Sequence, residues 1–286
     1  MNGVAAARPA QRVNAGDVVQ VDVPLAPQRQ APTAEALPLS ILYEDTSILV
    51  LVKPAGLVAH PSSAHRSGTL LNALLWHADR DPGQTSSWQP RLVQRLDKDT
   101  SGLLVVAKSP EVHAALQGEH AHFVKEYLAI VWGRPVPARG AIDHRLGRDP
   151  LDRRRVMVRD GGATALTRYR VLDRSRRHAR GLSLVCCELV TGRTHQLRVH
   201  LAAQGWPIVG DQTYGEPSRT RIADTTVDRA ARAFERQALH AWRLQFAHPR
   251  SGRLMQFEAS VPPDMAALMA TAALGRGLPR VLAPRV

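Results

Sequence analysis

The feature that most constrains the fold of this chain is a pair of uninterrupted apolar runs. Residues 47–52 have the sequence SILVLV and are followed by Lys53-Pro54, and residues 103–107 have the sequence LLVVA. A continuous apolar run of this length predicts a buried strand, and the proline after the first run is typical of a turn at a strand's end. The chain is therefore predicted to contain at least two interior strands.

Other segments predict a mixture of helices and further strands. Leucines at helical spacing predict a helix over residues 68–77. Ser109, Pro110 and Glu111 have the residue types that start a helix, because serine caps it, proline suits its first position and glutamate suits its positive end. Strands are predicted over residues 124–132, 182–190 and 239–261.

One more helix is predicted near residue 200. Thr194 can cap it, and it should run to about Gln204 and stop at Gly205. Across the chain, strands and helices interleave without a regular alternation, and no internal repeat is evident. This order favours a mixed α+β fold over a doubly wound parallel sheet.

The chain carries a strong positive charge. Of its 286 residues, 38 are Lys or Arg and 25 are Asp or Glu, which gives a formal net charge of +13. Such an excess favours a polyanionic partner, above all nucleic acid. A genome-wide preference for arginine would produce the same excess without any such partner.

The cysteines and the amino-terminal residues favour the cytoplasm. Cys186 and Cys187 are neighbours in a strand pattern, so they point to opposite faces and are poorly placed to bond each other. Buried free thiols in a reducing compartment are expected. Residues 1–13 lack the apolar core of a signal peptide, and no run of about 18 apolar residues occurs. We therefore expect a cytoplasmic protein that does not enter a membrane.

The chain is predicted to divide near residue 38. Residues 1–24 end in GDVVQVDVP, which alternates like a short strand after a Gly-Asp turn. Residues 25–38 are rich in Pro, Ala and Gln and are predicted to be a linker. Residues 39–286 are predicted to form the main domain.

The most informative segment is RLDKDTSGLL at residues 95–104. It places Asp97 next to an arginine, just before a Ser-Gly turn and a buried strand. A carboxylate at the mouth of a buried strand is partly desolvated and needs a neighbouring cation to stay ionised. A single aspartate in a turn is, however, usually a local cap, so the segment alone does not decide between the two interpretations.

Five ordered blocks resemble the RluA/RluD branch of the pseudouridine synthases. Residues 95–104 resemble the signature loop of that family. The other four blocks are KPAGL through His60-Pro61 at residues 53–61, KEY at residues 125–127, GRTHQLRVH at residues 192–200 with Gly210-Asp211 and Tyr214-Gly215, and QALHA at residues 237–241 with Phe246, His248 and Pro249. The resemblance covers about residues 40–262 and implies an α+β catalytic domain with a largely antiparallel sheet, flanking helices and a central RNA-binding cleft.

The resemblance implies a reaction and a role for four residues. Asp97 would attack the target uridine as a nucleophile, after which the uracil detaches, turns and rejoins the ribose through carbon. Tyr127 would stack on the detached uracil and assist the final proton removal, although a core tyrosine fits its strand equally well. Arg193 would pair with Asp97, unless it only starts a helix or contacts a phosphate. Arg95 would fill the gap left by the flipped base or brace the phosphates.

The reaction that the resemblance implies needs no cofactor, because no redox change or energy input occurs. A metal site is not expected either, because His195 and His200 are five residues apart and share no face of a helix or strand. RNA is the expected partner, and the basic stretch at residues 145–180 is predicted to follow its backbone, unless that stretch is only a solvated face. The candidate RNA contacts are Lys53, His60, Lys125, Arg153, Arg154 and Arg155.

Two departures from the family pattern stand out. Gln94 occupies the position of the usual histidine before Arg-Leu-Asp, so this position cannot titrate near neutral pH. Residues 1–24 match only the end of the small RNA-binding module, related to a ribosomal protein, that many members carry. We interpret them as a carboxy-terminal remnant of that module, left by decay or by a misassigned start codon.

Several functional alternatives stay open at this stage. The substrate is expected to be large-subunit ribosomal RNA, with transfer RNA as the alternative. A non-catalytic RNA-binding or ribosome-assembly protein would keep the same fold. Asp97 and Asp99 could instead form the carboxylate pair of a glycosidic hydrolase, although catalytic pairs flank the substrate from opposite sides. The protein is expected to be a monomer.

Overall fold

The computed structural model describes residues 12–19, 31–62, 65–80, 88–118, 121–175, 181–215, 224–276 and 278. It divides the chain into two units, Met1–Pro32 and Thr33–Val286, so the division falls inside the predicted linker. In the first unit a turn is described, in which the Asp17 amide donates to the Asn14 carbonyl over 3.1 Å. Residues 17–19 form no strand, and most of the short strand predicted there lies outside the described residues.

The second unit contains the helices and strands that the model describes. The helices are α1 (Leu70–Ala78), α2 (Pro110–Gln117), α3 (Gln196–Ala203), α4 (Thr225–Arg232) and α5 (Pro263–Thr271). The strands are β1 (Ser40–Glu44), β2 (Ile48–Lys53), β3 (Arg91–Leu92), β4 (Ser101–Ala107), β5 (Val124–Trp132), β6 (Arg139–Asp143), β7 (Leu146–Arg148), β8 (Val156–Val158), β9 (Leu166–Arg174), β10 (Leu182–Leu189), β11 (Leu239–Ala247) and β12 (Leu254–Glu258).

Ten of these strands form one mixed sheet. Its order is β1-β2-β4-β11-β5-β10-β9-β6, with β12 paired to β11 and β3 paired to β4. The pairings among the described strands are antiparallel except the one between β4 and β11. Strands β7 and β8 form a separate antiparallel hairpin. The predicted α+β fold with a largely antiparallel sheet is therefore confirmed.

The two continuous apolar runs are buried because the sheet has a hydrophobic core on each face. On β2, Leu49 and Leu51 pack into one core, whereas Ile48 and Val50 pack into the other. Successive side chains of a strand point to opposite faces, so a strand covered on both sides must be apolar at every position. The free thiols of Cys186 and Cys187 on β10 are also buried, as predicted.

The helix predicted over residues 68–77 is α1, which begins at Leu70 with Thr69 as its N-cap. The start predicted at Ser109 is confirmed, because Ser109 caps α2 through the Val112 amide. Thr194 does not cap α3, because the helix begins later and His195 occupies the N-cap position in the left-handed conformation, with φ 54° and ψ 18°. Among the described helices, none combines the length and the apolar character needed to cross a lipid bilayer.

Candidate active site

Asp97 lies in the turn that leads into β4, in the middle of the sheet. Its carbonyl accepts the Thr100 amide over 3.1 Å, and its side chain is 27% exposed. The turn enters β4 through Gly102, whose φ is +119°. A Cβ atom on Gly102 would lie 2.2 Å from the Ala241 carbonyl oxygen, so the parallel pairing of β4 with β11 requires glycine here.

The segment just before and at the start of β11 fixes the residues that follow Asp97. Arg236 donates from Nη1 to the Asp99 carbonyl over 3.2 Å. Gln237 donates to the Thr100 hydroxyl over 3.1 Å, and a ring nitrogen of His240 lies 2.9 Å from the Ser101 hydroxyl. The QALHA block therefore holds the signature loop in place from the start of β11, the strand next to β4.

Arg198, on α3, is the cation that contacts Asp97. Its Nη1 donates to Asp97 Oδ2 over 3.0 Å. The opposite edge of the same guanidinium donates to Asp211, from Nε to Oδ2 over 2.7 Å and from Nη2 to Oδ1 over 2.9 Å. Asp211 also accepts the amides of Thr213 and Tyr214. Asp211 therefore fixes the guanidinium of Arg198 in the orientation in which it donates to Asp97.

The predicted pairing of Arg193 with Asp97 is wrong in this structure. Arg193 is exposed, and its Nε donates to the Thr164 carbonyl over 3.1 Å. It lies before α3, in the turn that precedes the helix, whereas Arg198 is part of the helix and is directed at Asp97. Arg198 and Asp211 belong to sequence blocks that carried the family resemblance, so a signal for them existed, but only the fold singled them out.

Burial and charge act together on the Arg198–Asp211 pair. Burial disfavours the charged form of each group, but the ion pair and its hydrogen bonds outweigh that effect. The pKa of Arg198 is therefore raised above its ordinary value, and the pKa of Asp211 is lowered. Both groups are charged at neutral pH, so Asp97 faces a permanent cation.

Tyr127 lies on β5 and is buried, with 6% of its surface exposed. It pairs in register with Cys187 of β10 and Ala241 of β11. Burial raises the pKa of its phenol, and the negative charge of Asp97 raises it further. The hydroxyl therefore keeps its proton at neutral pH.

Lys53 is not available to RNA, and the prediction that it contacts RNA is wrong in this structure. The residue is fully buried. Its ammonium donates to the carbonyls of Pro54, Leu57 and Lys98, at 2.7, 2.9 and 2.8 Å. Burial lowers the pKa of Lys53 to about 8, although Asp99 and Asp97 oppose that shift. The side chain therefore joins the KPAGL loop to the signature loop.

The other predicted contact residues lie nearer the surface. Arg95 and His60 are exposed, and Arg95 donates to the Thr194 hydroxyl over 3.3 Å. Lys125 is partly buried beside the Phe123 ring, and burial lowers the pKa of its ammonium. Gln94 donates to the Leu103 carbonyl over 3.1 Å, so it too binds β4 to the signature loop.

The β7–β8 hairpin carries the arginine cluster. Arg153, Arg154 and Arg155 are all exposed at its connection. Arg154 pairs with Asp152 over 3.0 Å but keeps 92% of its side chain exposed. Arg155 lies 5.7 Å from the centre of the Tyr214 ring, so the cluster begins close to the Arg198 site. Residues 176–180 of the predicted basic stretch lie outside the described residues.

Two further residues at this site, His195 and Tyr214, had no role predicted from sequence. His195 Nε2 lies 3.9 Å from Asp97 Oδ2. The other ring nitrogen, Nδ1, lies 2.8 Å from the Tyr214 hydroxyl. Asp99 lines a cavity of about 620 Å³ that Arg198, Arg236 and Asp264 also line. Within the described residues, no group of three or more His, Cys, Asp or Glu side chains is placed to hold a metal ion.

Comparison with known proteins identifies the family of this chain. A family model described as RNA pseudouridylate synthase matches residues 47–203. The chain belongs to the RNA pseudouridylate synthase family. As an RNA pseudouridine synthase it is an isomerase of the RluA/RluD type, and the glycosidic hydrolase interpretation is set aside.

Relatives support this membership across most of the RNA pseudouridine synthase chain. The ribosomal large subunit pseudouridine synthase D of Nitrosomonas europaea is 43% identical over 93% of this chain and 74% of the relative. The protein of the same name from Xanthomonas campestris pv. campestris is 44% identical, over 92% of this chain and 78% of the relative. Among solved structures, human RNA pseudouridylate synthase domain containing 4 matches with a TM-score of 0.66 and 25% identity, over 82% of this chain and 94% of that one.

Proposed function

We propose that this RNA pseudouridine synthase isomerises specific uridines of large-subunit ribosomal RNA, with Asp97 as its nucleophile. The observation that carries the proposal is the contact between Asp97 and Arg198, in which a partly exposed carboxylate is oriented by an arginine that Asp211 fixes from behind. Aspartate is a weak nucleophile, but it is already ionised at neutral pH, and covalent capture divides one difficult step into two easier ones.

The chemistry balances without a cofactor. The bond between N1 of uracil and C1′ of ribose breaks, and a bond between C5 and C1′ forms. C5 loses a proton, and N1 gains one. Asp97 forms a temporary bond to the nucleoside and is released at the end, so no oxidant, reductant or energy source is consumed.

Tyr127 and Arg95 are proposed to handle the flipped nucleotide. The target base must leave its stack to reach Asp97, which costs a few kcal/mol. Tyr127 offers a flat apolar ring for the detached uracil, and its protonated hydroxyl suits it better to stacking than to acting as a strong base at neutral pH. Arg95 is exposed beside the signature loop, and its planar guanidinium can occupy the gap left in the RNA.

The names of the relatives favour ribosomal RNA over transfer RNA as the substrate. The exposed arginines of the β7–β8 hairpin, together with the partly buried Lys125 and the exposed His60, are proposed to contact RNA near the reacting nucleotide. We propose that the protein acts as a monomer in the cytoplasm.

Mapping pseudouridine in total RNA from cells with and without the gene tests the proposal directly. We expect one or a few positions in large-subunit ribosomal RNA to lose the modification in the deletion strain. The wild-type gene should restore these positions, and an Asp97→Asn gene should not. Loss of modification only in transfer RNA would refute the assigned substrate, and restoration by Asp97→Asn would refute the assigned nucleophile.

A further inference from the structure

His195 occupies its position at a conformational cost. It precedes α3 with φ 54° and ψ 18°, a left-handed conformation that few residues other than glycine adopt. Its side chain makes no capping hydrogen bond to the helix. Strained backbone of this kind is common at functional sites, where neighbouring structure holds it in place.

The neighbour of His195 provides that support. Gln196 is buried, and its side-chain carbonyl accepts the Thr191 hydroxyl and the Arg193 amide over 2.9 and 3.0 Å. Its side-chain amide donates to the Leu166 carbonyl and the Thr167 hydroxyl, each over 3.0 Å. Four hydrogen bonds therefore fix the start of α3, so the direction of the His195 side chain is set by the fold.

The Tyr214 hydroxyl contacts one of the two ring nitrogens of His195. The Tyr214 hydroxyl accepts the Val156 amide over 2.8 Å and lies 2.8 Å from His195 Nδ1. In the described residues no other acceptor lies within hydrogen-bond distance of this hydroxyl, so the geometry favours donation of its hydrogen to Nδ1. A neutral imidazole that accepts at Nδ1 must carry its proton on Nε2.

The imidazole of His195 is uncharged at neutral pH. Burial lowers the pKa of His195, and the cations Arg198 and Arg148 add to that effect, whereas Asp97 and Asp211 oppose it. The Nε2–H group faces Asp97 Oδ2 at 3.9 Å, which is too long for a hydrogen bond. That oxygen already accepts from Arg198, so the Nε2–H donor has no acceptor within reach in the described part of the chain.

We propose that His195 is a substrate-contacting residue whose Nε2–H donates to an oxygen of the target nucleoside, and that Tyr214 holds the ring in the donating tautomer. His195 Nε2 and Asp97 Oδ2 lie 3.9 Å apart, and their side chains are 20% and 27% exposed, so one bound nucleoside can contact both groups. A nucleoside placed against Asp97 would present ribose hydroxyl and pyrimidine carbonyl oxygens to this donor. The proposal rests on the assignment of Asp97 as nucleophile.

Three variants of the full chain separate this role from a structural one. His195→Gly keeps the left-handed backbone without the imidazole, His195→Gln offers a shorter donor from its amide, and Tyr214→Phe removes the hydroxyl that fixes the tautomer. The probe is a transcript containing the uridine found by the mapping experiment. The measurements are the single-turnover rate constant at saturating RNA, the Kd for the same transcript and the melting temperature.

We expect His195→Gly to slow the reaction about a hundredfold, as is typical when one positioned donor is lost, with Kd and melting temperature near those of the wild type. His195→Gln should recover about tenfold of that loss, and Tyr214→Phe should slow the reaction about tenfold. A wild-type rate in His195→Gly would show that only the backbone matters, and equal rates in the Gly and Gln variants would exclude a donor; either result overturns the proposal. Activity of Asp97→Asn is a separate outcome that tests the nucleophile alone.

Discussion

Arg198 donates from Nη1 to Asp97 Oδ2 over 3.0 Å, although the two residues are 101 positions apart in the chain. The same guanidinium is held by both oxygens of Asp211. The planar group can satisfy two carboxylates at once because its donors point in fixed directions. The position of the Asp97 carboxylate therefore depends on α3 and on the turn that carries Asp211.

Replacing Arg198 with lysine tests whether this geometry matters beyond charge. Lysine keeps the cation but cannot donate to Asp211 through two parallel bonds and to Asp97 at the same time. We expect the single-turnover rate constant of Arg198→Lys to fall by about a hundredfold, while the Kd for RNA changes little.

Arg193→Lys is the matched control for that substitution. Arg193 is exposed and contacts the Thr164 carbonyl instead of Asp97. The single-turnover rate constant of Arg193→Lys at saturating RNA should stay within about threefold of the wild-type value. This limit corresponds to a change of less than about 1 kcal/mol in the activation free energy. If Arg193→Lys slowed the reaction as much as Arg198→Lys, the assignment of Arg198 as the partner of Asp97 would be contradicted.

Gly102→Ala should strongly destabilise the fold. The added Cβ would meet the Ala241 backbone at 2.2 Å, at a φ of +119°. We expect a loss of about 3 kcal/mol or more in the free energy of unfolding. Gly56→Ala is the control, because φ is also positive there but nothing lies within 4 Å; it should cost about 1 kcal/mol. Equal losses in chemical denaturation would show that the close approach of β4 and β11 is not the cause.

The stability of the protein should fall in mild acid because of His240. Burial lowers the pKa of His240 from 6.5 to about 4, and Arg236 adds to the shift while Asp264 opposes it. Below pH 6.5 the unfolded chain binds a proton that the folded protein does not bind until about pH 4, so stability is complete above 6.5 and is lost as the pH falls.

The expected size of the His240 effect is about 2 kcal/mol between pH 7.5 and pH 5. Urea denaturation of the wild type and of His240→Gln at both pH values measures it. Between pH 7.5 and pH 5, the free energy of unfolding of His240→Gln should fall by about 2 kcal/mol less than that of the wild type. This difference should hold whatever the absolute stability of the variant. An identical loss in both proteins would rule out His240 as the cause.

The arginines of the β7–β8 hairpin should control the salt dependence of RNA binding. Phosphate contacts release counterions, so each one contributes about 0.7 to 0.9 to the slope of log K against log salt. Replacing both Arg153 and Arg155 with glutamine should reduce the slope by about 1.5. The control replaces Arg168 and Arg170, which pair with Glu188 and Glu126 on the sheet. A similar reduction in the control would argue against a specific role for the hairpin.

The amino-acid sequence was sufficient to predict several interior strands of the sheet and the segment that carries the nucleophile candidate. The runs at residues 47–52 and 103–107 predicted β2 and β4, because a strand covered on both faces is apolar over most of its length. Asp97 could be singled out because its segment is one of five ordered blocks that together resemble a known family.

The three-dimensional fold was needed to show that Arg198 contacts Asp97 and that Lys53 is buried. Arg193 and Arg198 are equally basic, and the choice between them depends on where α3 begins and on the direction of each side chain from it. Lys53 resembles a surface cation in sequence, but the fold places three carbonyls around its ammonium. Such contacts join segments far apart in the chain, and their geometry depends on packing that no local pattern encodes.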